Sequence, residues 1–197
     1  MSSKENEQKL YEEKGDPMQE KPSKTEYPAY YQDYMKLVPE GNIVALFKEQ
    51  ERMTTNLLQG LTDQQASFAY ETDKWTIKEV VGHLTDTERI LAYRLLTIAR
   101  GDVTPLPGFQ EDAYVQQANF TGMTVASLLA QYKAVRASTI ALVESLNDQD
   151  WTRQGMANNY VTSVRALVYI LLGHERHHHN ILHERYFASA TYPINRM

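Results

Sequence analysis

The segment TSVRALVYILLGHERHHHNIL, residues 162–182, predicts a long helix that carries core residues and most of the histidines of the chain. Thr162 or Ser163 can cap its N-terminus, because a hydroxyl oxygen there accepts a hydrogen bond from a free backbone N–H. We expect the helix to continue to about Ser189. Its apolar residues recur at helical spacing, so one face should pack into a core.

Five of the six histidines fall between residues 174 and 183. A helix turns by about 100° per residue, which places His178 about 40° from His174 on the apolar face. His177 lies at the edge of that face, where it is a weaker candidate ligand. His179 and His183 are predicted to face solvent. Two histidines four residues apart have Cβ atoms about 6 Å apart, a separation that suits one metal ion.

Three other long helical patterns precede this segment, and no strand signal of useful length appears. WTIKE, residues 75–79, matches a capping box that begins a helix at Thr76, and Gly101 matches its C-terminal stop. Prolines in Thr104–Phe109 interrupt the helical pattern. The predicted fold is therefore an all-α four-helix bundle with one long crossover between the second and third helices. The three patterns cover residues 40–59, 76–100 and 124–147, and a short helix is expected near residues 112–119.

The composition predicts one globular domain with a tail. The chain has 197 residues, of which 42% are hydrophobic and 23% charged. Residues 1–25 are polar and low in branched apolar side chains, which predicts a flexible tail before a domain over residues 26–190. Four tyrosines follow the tail and could form an ordinary packed lead-in or line a pocket. They are Tyr27, Tyr30, Tyr31 and Tyr34.

Charge and cysteine content disfavour several functions. A net charge of −5 offers no basic surface for nucleic acid, and no apolar run is long enough to cross a bilayer. The chain has no cysteine, which removes disulfides, thiolate-ligated zinc and thiol nucleophiles. The N-terminal residues show no secretory signal. We expect a cytoplasmic protein without nucleic-acid or membrane partners.

A third histidine completes a possible metal site. His83 lies near the core face of the second helix, and both it and His174 directly follow a glycine, Gly82 and Gly173. A glycine within a helix costs about 1 kcal/mol relative to alanine, so a steric reason is expected, either close backbone approach or room around an ion. Three imidazoles suit Zn, Ni, Cu or Fe and leave a position open for a reactant. The alternative is that the core histidines are satisfied by hydrogen bonds.

Two motif matches are misleading. HERHH, residues 174–178, matches the H-E-x-x-H pattern of zinc metallopeptidases, in which the glutamate is the general base. The extended pattern requires glycine and histidine where this chain has Ile181 and Glu184. Glu175 and His178 also match half of a di-iron carboxylate site, but that site requires a second copy of the motif. We therefore disfavour both interpretations.

Three blocks of sequence together resemble one family. WTIKEVVGHLTDTER, residues 75–89, ARGDVTPLPGFQEDAY, residues 99–114, and GHERHHHNIL, residues 173–182, resemble the DinB-like (YfiT-related) superfamily. The resemblance implies an up-down-down-up four-helix bundle and a divalent metal, often zinc or nickel. It also implies the ligands, which correspond here to His83, His174 and His178. Family members include S-transferases that use low-molecular-weight thiols, a maleylpyruvate isomerase and metal-dependent hydrolases.

Several polar residues near these histidines have two interpretations each. Asp86 or Glu88 could orient an imidazole, whereas Asp86 could equally pair with Arg89 on the surface. Glu175 could act as acid or base beside the metal, although its angle from His174 favours exposure to solvent. Arg94 lies on the same face as His83 and could bind an anionic group, although a surface ion pair is the commoner arrangement.

The leading hypothesis is a metal-dependent enzyme that acts on a small-molecule substrate. In it, His83, His174 and His178 hold the ion, which activates a water or a low-molecular-weight thiol, and the resemblance favours the thiol. The second hypothesis is a non-catalytic metal-binding or stress-associated bundle, which could be a homodimer. In that case His177 or a carboxylate would close the coordination sphere.

Overall fold

Four long helices dominate the part of the chain that the computed structural model describes, residues 20–193. The second begins directly after the predicted cap Thr76, and the third begins at Val125, one residue after the predicted start. The first begins at Ile43 rather than Glu40, because the side chain of Asn42 accepts a hydrogen bond from the amide of Ala45 and caps the helix there. The helices are α1 (Ile43–Gln59), α2 (Ile77–Ala99), α3 (Val125–Glu144) and α4 (Val164–Ile181).

Local capping explains the bounds of these helices. Thr76 and Glu79 form the predicted reciprocal capping box at the start of α2. Thr124 accepts from the amide of Ser127, and Ser163 is the residue that caps α4. Each cap satisfies a backbone donor that the first turn of a helix leaves free. Past the end of α2, Gly101 adopts φ 79°, which a residue with a side chain rarely does.

Shorter elements connect the long helices. α4 passes directly into a π-helix, Leu182–Phe187, so the helical path extends close to the predicted end. The connection from α2 to α3 contains the short helix that the sequence predicts. The other short helices are Ala29–Tyr31 (3₁₀), Gln32–Leu37, Asp63–Ala66, Glu111–Ala118, Phe120–Gly122 (3₁₀) and Asp148–Trp151.

A small β-hairpin precedes α4, so the expectation that no strand forms is wrong. β1 (Gln154–Ala157) pairs antiparallel with β2 (Tyr160–Ser163). Asn158 and Asn159 join them with φ of 51° and 65°. Two consecutive residues with positive φ match the twist of a tight hairpin, and asparagine tolerates this conformation. The strands have four residues each, too short for a recognisable alternating pattern.

The segment before α1 is tied to α4. The carboxylate of Glu26 accepts from Arg165 at 2.6 Å and from the hydroxyl of Ser163 at 2.8 Å. Lys21 Nζ donates to the carbonyl of Val38 at 2.9 Å. Residues 1–19 of the predicted tail lie outside the described residues.

The bundle has an apolar core at each end and a polar layer between them. One cluster joins the N-terminal half of α4 to the C-terminal part of α2, and includes Leu95 and Leu167. The other surrounds the start of α2, and includes Ile77 and Leu128. Between the clusters, all four long helices place buried polar side chains, which form the candidate site and the network beside it. These side chains include Gln50, Thr54, His83, Glu88, Arg136, His174, Glu175 and His179.

Close packing explains both helical glycines that precede a histidine. A Cβ at Gly173 would collide with the backbone carbonyl of Tyr34, and one at Gly82 would collide with the ring of Phe120. The predicted close backbone approach therefore accounts for Gly173, whereas the packing of an aromatic ring accounts for Gly82. The contact at Gly173 also brings the tyrosine segment against α4 beside His174.

Gly173→Ala is expected to lower the free energy of unfolding by about 1–3 kcal/mol or more, because overpacking here meets backbone rather than a movable side chain. Urea denaturation of the metal-free protein measures the change. Gly60→Ala is the control, since a Cβ there would lie 3.6 Å from the carbonyl oxygen of Leu57, an ordinary contact. Equal stability of the two variants would contradict the steric explanation.

Within residues 20–193, no helix combines the length and the hydropathy that crossing a membrane requires.

Candidate metal centre

Three histidines from two helices converge at one point in the polar layer. His83 comes from α2, and His174 and His178 come from successive turns of α4. One potential ligand atom from each lies within 4.8 Å of the others. His83 Nε2 and His174 Nε2 are 3.0 Å apart, and the three ring centroids are 4.7–4.9 Å from one another. The structure thus brings together the three histidines that the sequence singled out.

Neighbouring side chains hold the His83 ring in place. The hydroxyl of Thr87, one turn further along α2, lies 3.5 Å from His83 Nδ1. The ring of Trp75 packs on the other side, with centroids 4.7 Å apart. With Nδ1 next to a hydroxyl, Nε2 is the nitrogen that faces His174. Such partners orient a ligand before an ion arrives.

Burial keeps the three imidazoles neutral. It lowers the pKa of His83 to about 4, against a small opposing effect of Asp112. It lowers the pKa of His178 to about 3, with further lowering by neighbouring histidines. The pKa of His174 falls for the same reasons, burial first. Neutral imidazole is the form that coordinates a metal, so at neutral pH protons compete little for these nitrogens.

The donor set fits a divalent cation. His178 Nδ1 is buried and has no hydrogen-bond partner among residues 20–193. A buried nitrogen without a partner is costly, so hydrogen bonds among these residues do not satisfy all the core histidines. The 3.0 Å between His83 Nε2 and His174 Nε2 fits either two lone pairs directed at one ion or a hydrogen bond between the two rings. These features favour an ion over the alternative that all the core histidines are satisfied by hydrogen bonds.

Tyr34 covers one side of the histidine cluster. Its ring centroid lies 5.6 Å from that of His174 and 5.2 Å from that of His177. The tyrosine segment therefore reaches the site, in addition to packing against α4. His177 is partly exposed and its ring is 5.2 Å from that of His178. Among the described residues, His177 is not part of the group whose ligand atoms converge.

The prediction that His179 faces solvent is wrong, whereas His183 is exposed as expected. His179 is 6% exposed, and its Nε2 lies 2.6 Å from Thr54 Oγ1. Thr54 donates its own hydrogen to Glu175, so His179 Nε2–H can donate to the hydroxyl. α1 covers this flank of α4, a contact that the helical wheel of α4 alone does not include.

The favoured exposure of Glu175 is also wrong, because Glu175 is only 2% exposed. Its carboxylate accepts hydrogen bonds from Thr54, Tyr132 and Arg136, each at 2.6 Å. Burial acts to raise the pKa of Glu175, but Arg136 and these hydroxyls outweigh it and lower the pKa. Glu175 is therefore an ionised part of the polar layer, and its lone pairs are occupied by protein donors.

Arg136 connects three helices through two buried carboxylates. Its Nε and one terminal nitrogen contact both oxygens of Glu88, at 2.9 and 2.7 Å. That same terminal nitrogen contacts Glu175 at 2.6 Å. Burial acts to lower the pKa of Arg136, but Glu175 and Glu88 raise it well above its usual value. The sequence analysis did not identify Arg136. The sequence feature that would have indicated it is a charged residue four positions from both Tyr132 and Ile140, on the apolar face of α3.

The structure also shows the partners of the other three candidate residues, Asp86, Glu88 and Arg94. Asp86 pairs with Arg89 at 2.7 Å, so the surface alternative is confirmed. Glu88 serves Arg136 rather than an imidazole. Arg94 does not form the favoured surface pair: it is 4% exposed and donates to the carbonyl of Pro107 at 2.6 Å. Its burial results from the loop around Pro107, which folds back over α2.

Comparisons with known proteins agree with this arrangement. A family model described as the DinB superfamily matches residues 46–182. A protein of Oceanobacillus iheyensis named "putative metal-dependent hydrolase" is 27% identical over 139 residues, which cover 66% of this chain and 78% of that protein. That name describes the Oceanobacillus relative and not this chain.

A solved structure shares the fold. YfiT from Bacillus subtilis, described with its structure as a probable metal-dependent hydrolase with an unusual four-helix bundle topology, matches with a TM-score of 0.61. The match has 17% identity and covers 84% of this chain and 89% of that one. The fold is thus a mostly helical bundle with a small hairpin, and the resemblance predicted from the sequence is confirmed. The family model covers most of the chain, including all three histidines that converge, so the chain belongs to the DinB superfamily.

Proposed function

We propose that this protein is a metal-dependent enzyme whose His83, His174 and His178 hold a divalent ion, zinc or nickel. The observation that carries the proposal is the convergence of three neutral imidazoles, one of them with an unsatisfied buried nitrogen. The name of the Oceanobacillus relative supports metal-dependent hydrolysis. The resemblance noted from the sequence favours a low-molecular-weight thiol as co-substrate.

We also propose the up-down-down-up topology, with the crossover between α2 and α3 and a domain over residues 26–190. Contacts between helix ends support it. Tyr186, just beyond α4, bonds the carbonyl of Trp75 before α2, so α2 and α4 run in opposite directions. Gln50 and Thr54 of α1 contact Leu172 and Glu175 of α4 in the same order, which fits a parallel pair.

The chain's own residues define what the site can do. A divalent ion, when bound, increases the acidity of a water or a thiol, so that either becomes nucleophilic near neutral pH. Trp75 packs against His83 and Tyr34 packs against His174, so an aromatic ring borders each of these two histidines. The carboxylate of Glu175 is already saturated by protein donors, so we do not assign it the role of general base.

A turnover panel tests the proposal. Protein loaded with zinc or nickel is assayed for ester hydrolysis and for conjugation of a low-molecular-weight thiol to 1-chloro-2,4-dinitrobenzene. His178→Ala is expected to reduce kcat/KM to background in whichever reaction occurs, because the site loses a ligand. His183→Ala, an exposed histidine of the same segment, should retain the activity.

The two reactions and the non-catalytic alternative give different results. Hydrolysis without added thiol would identify water as the nucleophile, and conjugation that depends on the thiol would identify the transferase. Activity that is unchanged in His178→Ala would contradict the assignment of the site. Stoichiometric metal without turnover in either assay would instead favour a non-catalytic metal-binding protein. The homodimer that this alternative includes stays a prediction.

A further inference from the structure

Arg94 is a buried cation without an acidic partner. It is 4% exposed, and none of the ion pairs among residues 20–193 includes it. In contrast, Arg136 contacts two carboxylates and Arg165 contacts Glu26. A guanidinium remains charged in proteins, and burying it without a counter-charge is costly. Such a group indicates a site for an anion.

A cleft opens beside Arg94. It has a volume of about 310 Å³, which is within the range of small-molecule sites. Ile90 and Arg94 contribute from α2, and the loop of residues 106–109 forms another wall. Phe109 and Tyr114 stack edge to face with centroids 5.3 Å apart. The cleft therefore combines an apolar, aromatic wall with two cations, Arg94 and Arg89, of which Arg89 pairs with Asp86. This lining suits an organic anion with a planar or apolar body.

The cleft and the histidines lie along one face of α2. Eleven residues separate His83 from Arg94, which corresponds to about 20° around the helix and about 16 Å along it. A second connection runs through aromatic rings: Tyr31 and Tyr34 have centroids 5.8 Å apart, and Tyr34 and His174 have centroids 5.6 Å apart. Burial lowers the pKa of Arg94, and Tyr31 is the side chain that most opposes this lowering. The lining of the cleft includes neither the histidines nor these tyrosines, so an extended molecule would have to pass along the rings to occupy both places.

We propose that Arg94 binds the anionic group of an extended organic substrate, a carboxylate or a phosphate, while the reacting part of that substrate lies at the three histidines. The guanidinium would form paired hydrogen bonds with two oxygens of the anion. The identity of this anion as substrate rests on the proposed function. The binding of an anion at Arg94 requires no ion at the histidines and can be tested separately.

Calorimetric titration of metal-free protein tests the binding with three probes of similar shape. Benzoate and phenylphosphonate carry the two candidate anionic groups, and benzamide is neutral. We expect one or both anions to bind at least about tenfold more tightly than benzamide, as for a charge-assisted hydrogen bond. The preferred anion distinguishes a carboxylate from a phosphate-like substrate. Equal binding of benzamide, or no saturable binding of either anion, would overturn the proposal.

Variants locate the binding. Arg94→Met should lower the affinity for the preferred anion by about tenfold or more. Arg94→Lys should retain part of this affinity because it keeps the charge. Arg100→Met is the control, since it removes the same charge from an exposed residue that follows α2. Unchanged affinity in folded Arg94→Met overturns the assignment. If Arg94→Met fails to fold, two measurements still test the proposal: the affinity of Arg94→Lys, and the contrast between benzoate and benzamide in the wild type.

The metal content of the same samples separates this proposal from the proposed function. Anion binding at Arg94 in a protein that takes up no metal would support the anion site and refute the metal enzyme. Stoichiometric metal together with equal binding of benzoate and benzamide would support the metal site and refute the anion site.

Discussion

His174→Ala is expected to reduce bound metal from about one ion per chain to nearly none. His174 lies next to both other candidate ligands: its Nε2 is 3.0 Å from that of His83, and its ring centroid is 4.7 Å from that of His178. Loss of a group that merely orients a ligand weakens metal affinity by about 10–100-fold, so loss of a ligand should exceed that range. Elemental analysis of protein purified without an affinity metal column measures the content.

His183→Ala is the matched control for this experiment. It lies in the π-helix after α4 and is exposed, so its removal should leave the metal content unchanged. A wild-type protein without stoichiometric metal, or a His174→Ala variant that retains it, would refute the three-histidine site. Circular dichroism of the metal-free variant shows whether the helices persist.

Arg136→Met is expected to lower the free energy of unfolding by about 3–5 kcal/mol, the usual cost of removing one partner from a buried ion pair. Methionine fills much of the same volume, so the loss reports on charge rather than on a cavity. Glu88 and Glu175, which are 3% and 2% exposed, would remain without a cation. Urea denaturation measures the change.

Lys48→Met provides the contrast to Arg136→Met. Lys48 pairs with Glu144 across α1 and α3, but both side chains are at least half exposed, so the expected loss is below about 1 kcal/mol. Combining Arg136→Met with Glu88→Gln and Glu175→Gln should recover part of the stability, because none of the three charges of this network then stays buried. A loss in Arg136→Met no larger than that in Lys48→Met would show that the network contributes little.

The two sets of variants probe different functions of the polar layer. His174 and Glu175 are adjacent on α4 but point to different neighbours, one toward α2 and the other toward α1 and α3. The network around Arg136 joins the long helices and so maintains the register in which α2 and α4 face each other. We therefore expect Arg136→Met to affect stability first, and His174→Ala to affect metal content first.

Much of the fold could be predicted from sequence because its signals are local. A capping threonine contacts a backbone amide three residues away, as at Thr76 and Thr124, and such contacts need no tertiary information. The hairpin before α4 was missed because its strands are short, although the pair Asn158 and Asn159 was a usable turn signal.

The errors at Glu175, His179 and Arg94 have one physical origin. A helical wheel gives the direction of a side chain relative to its own helix, but not what covers that direction. α1 covers the flank of α4 that holds Glu175 and His179, and the loop at Pro107 covers Arg94. Each polar side chain is buried because another element supplies a hydrogen-bond partner, and that element is distant in sequence.

The sequence by itself determined the four long helices to within a few residues, the cap at Thr76, the family and the identity of three candidate ligands, since these depend on spacing within about one helical turn or on quoted motifs. Only the tertiary structure decided that His83 meets His174, that Arg136 unites two buried carboxylates, and that Arg94 is a buried cation without one. Those outcomes depend on which helices become neighbours, and that choice is made by the packing of the whole core rather than by any local segment.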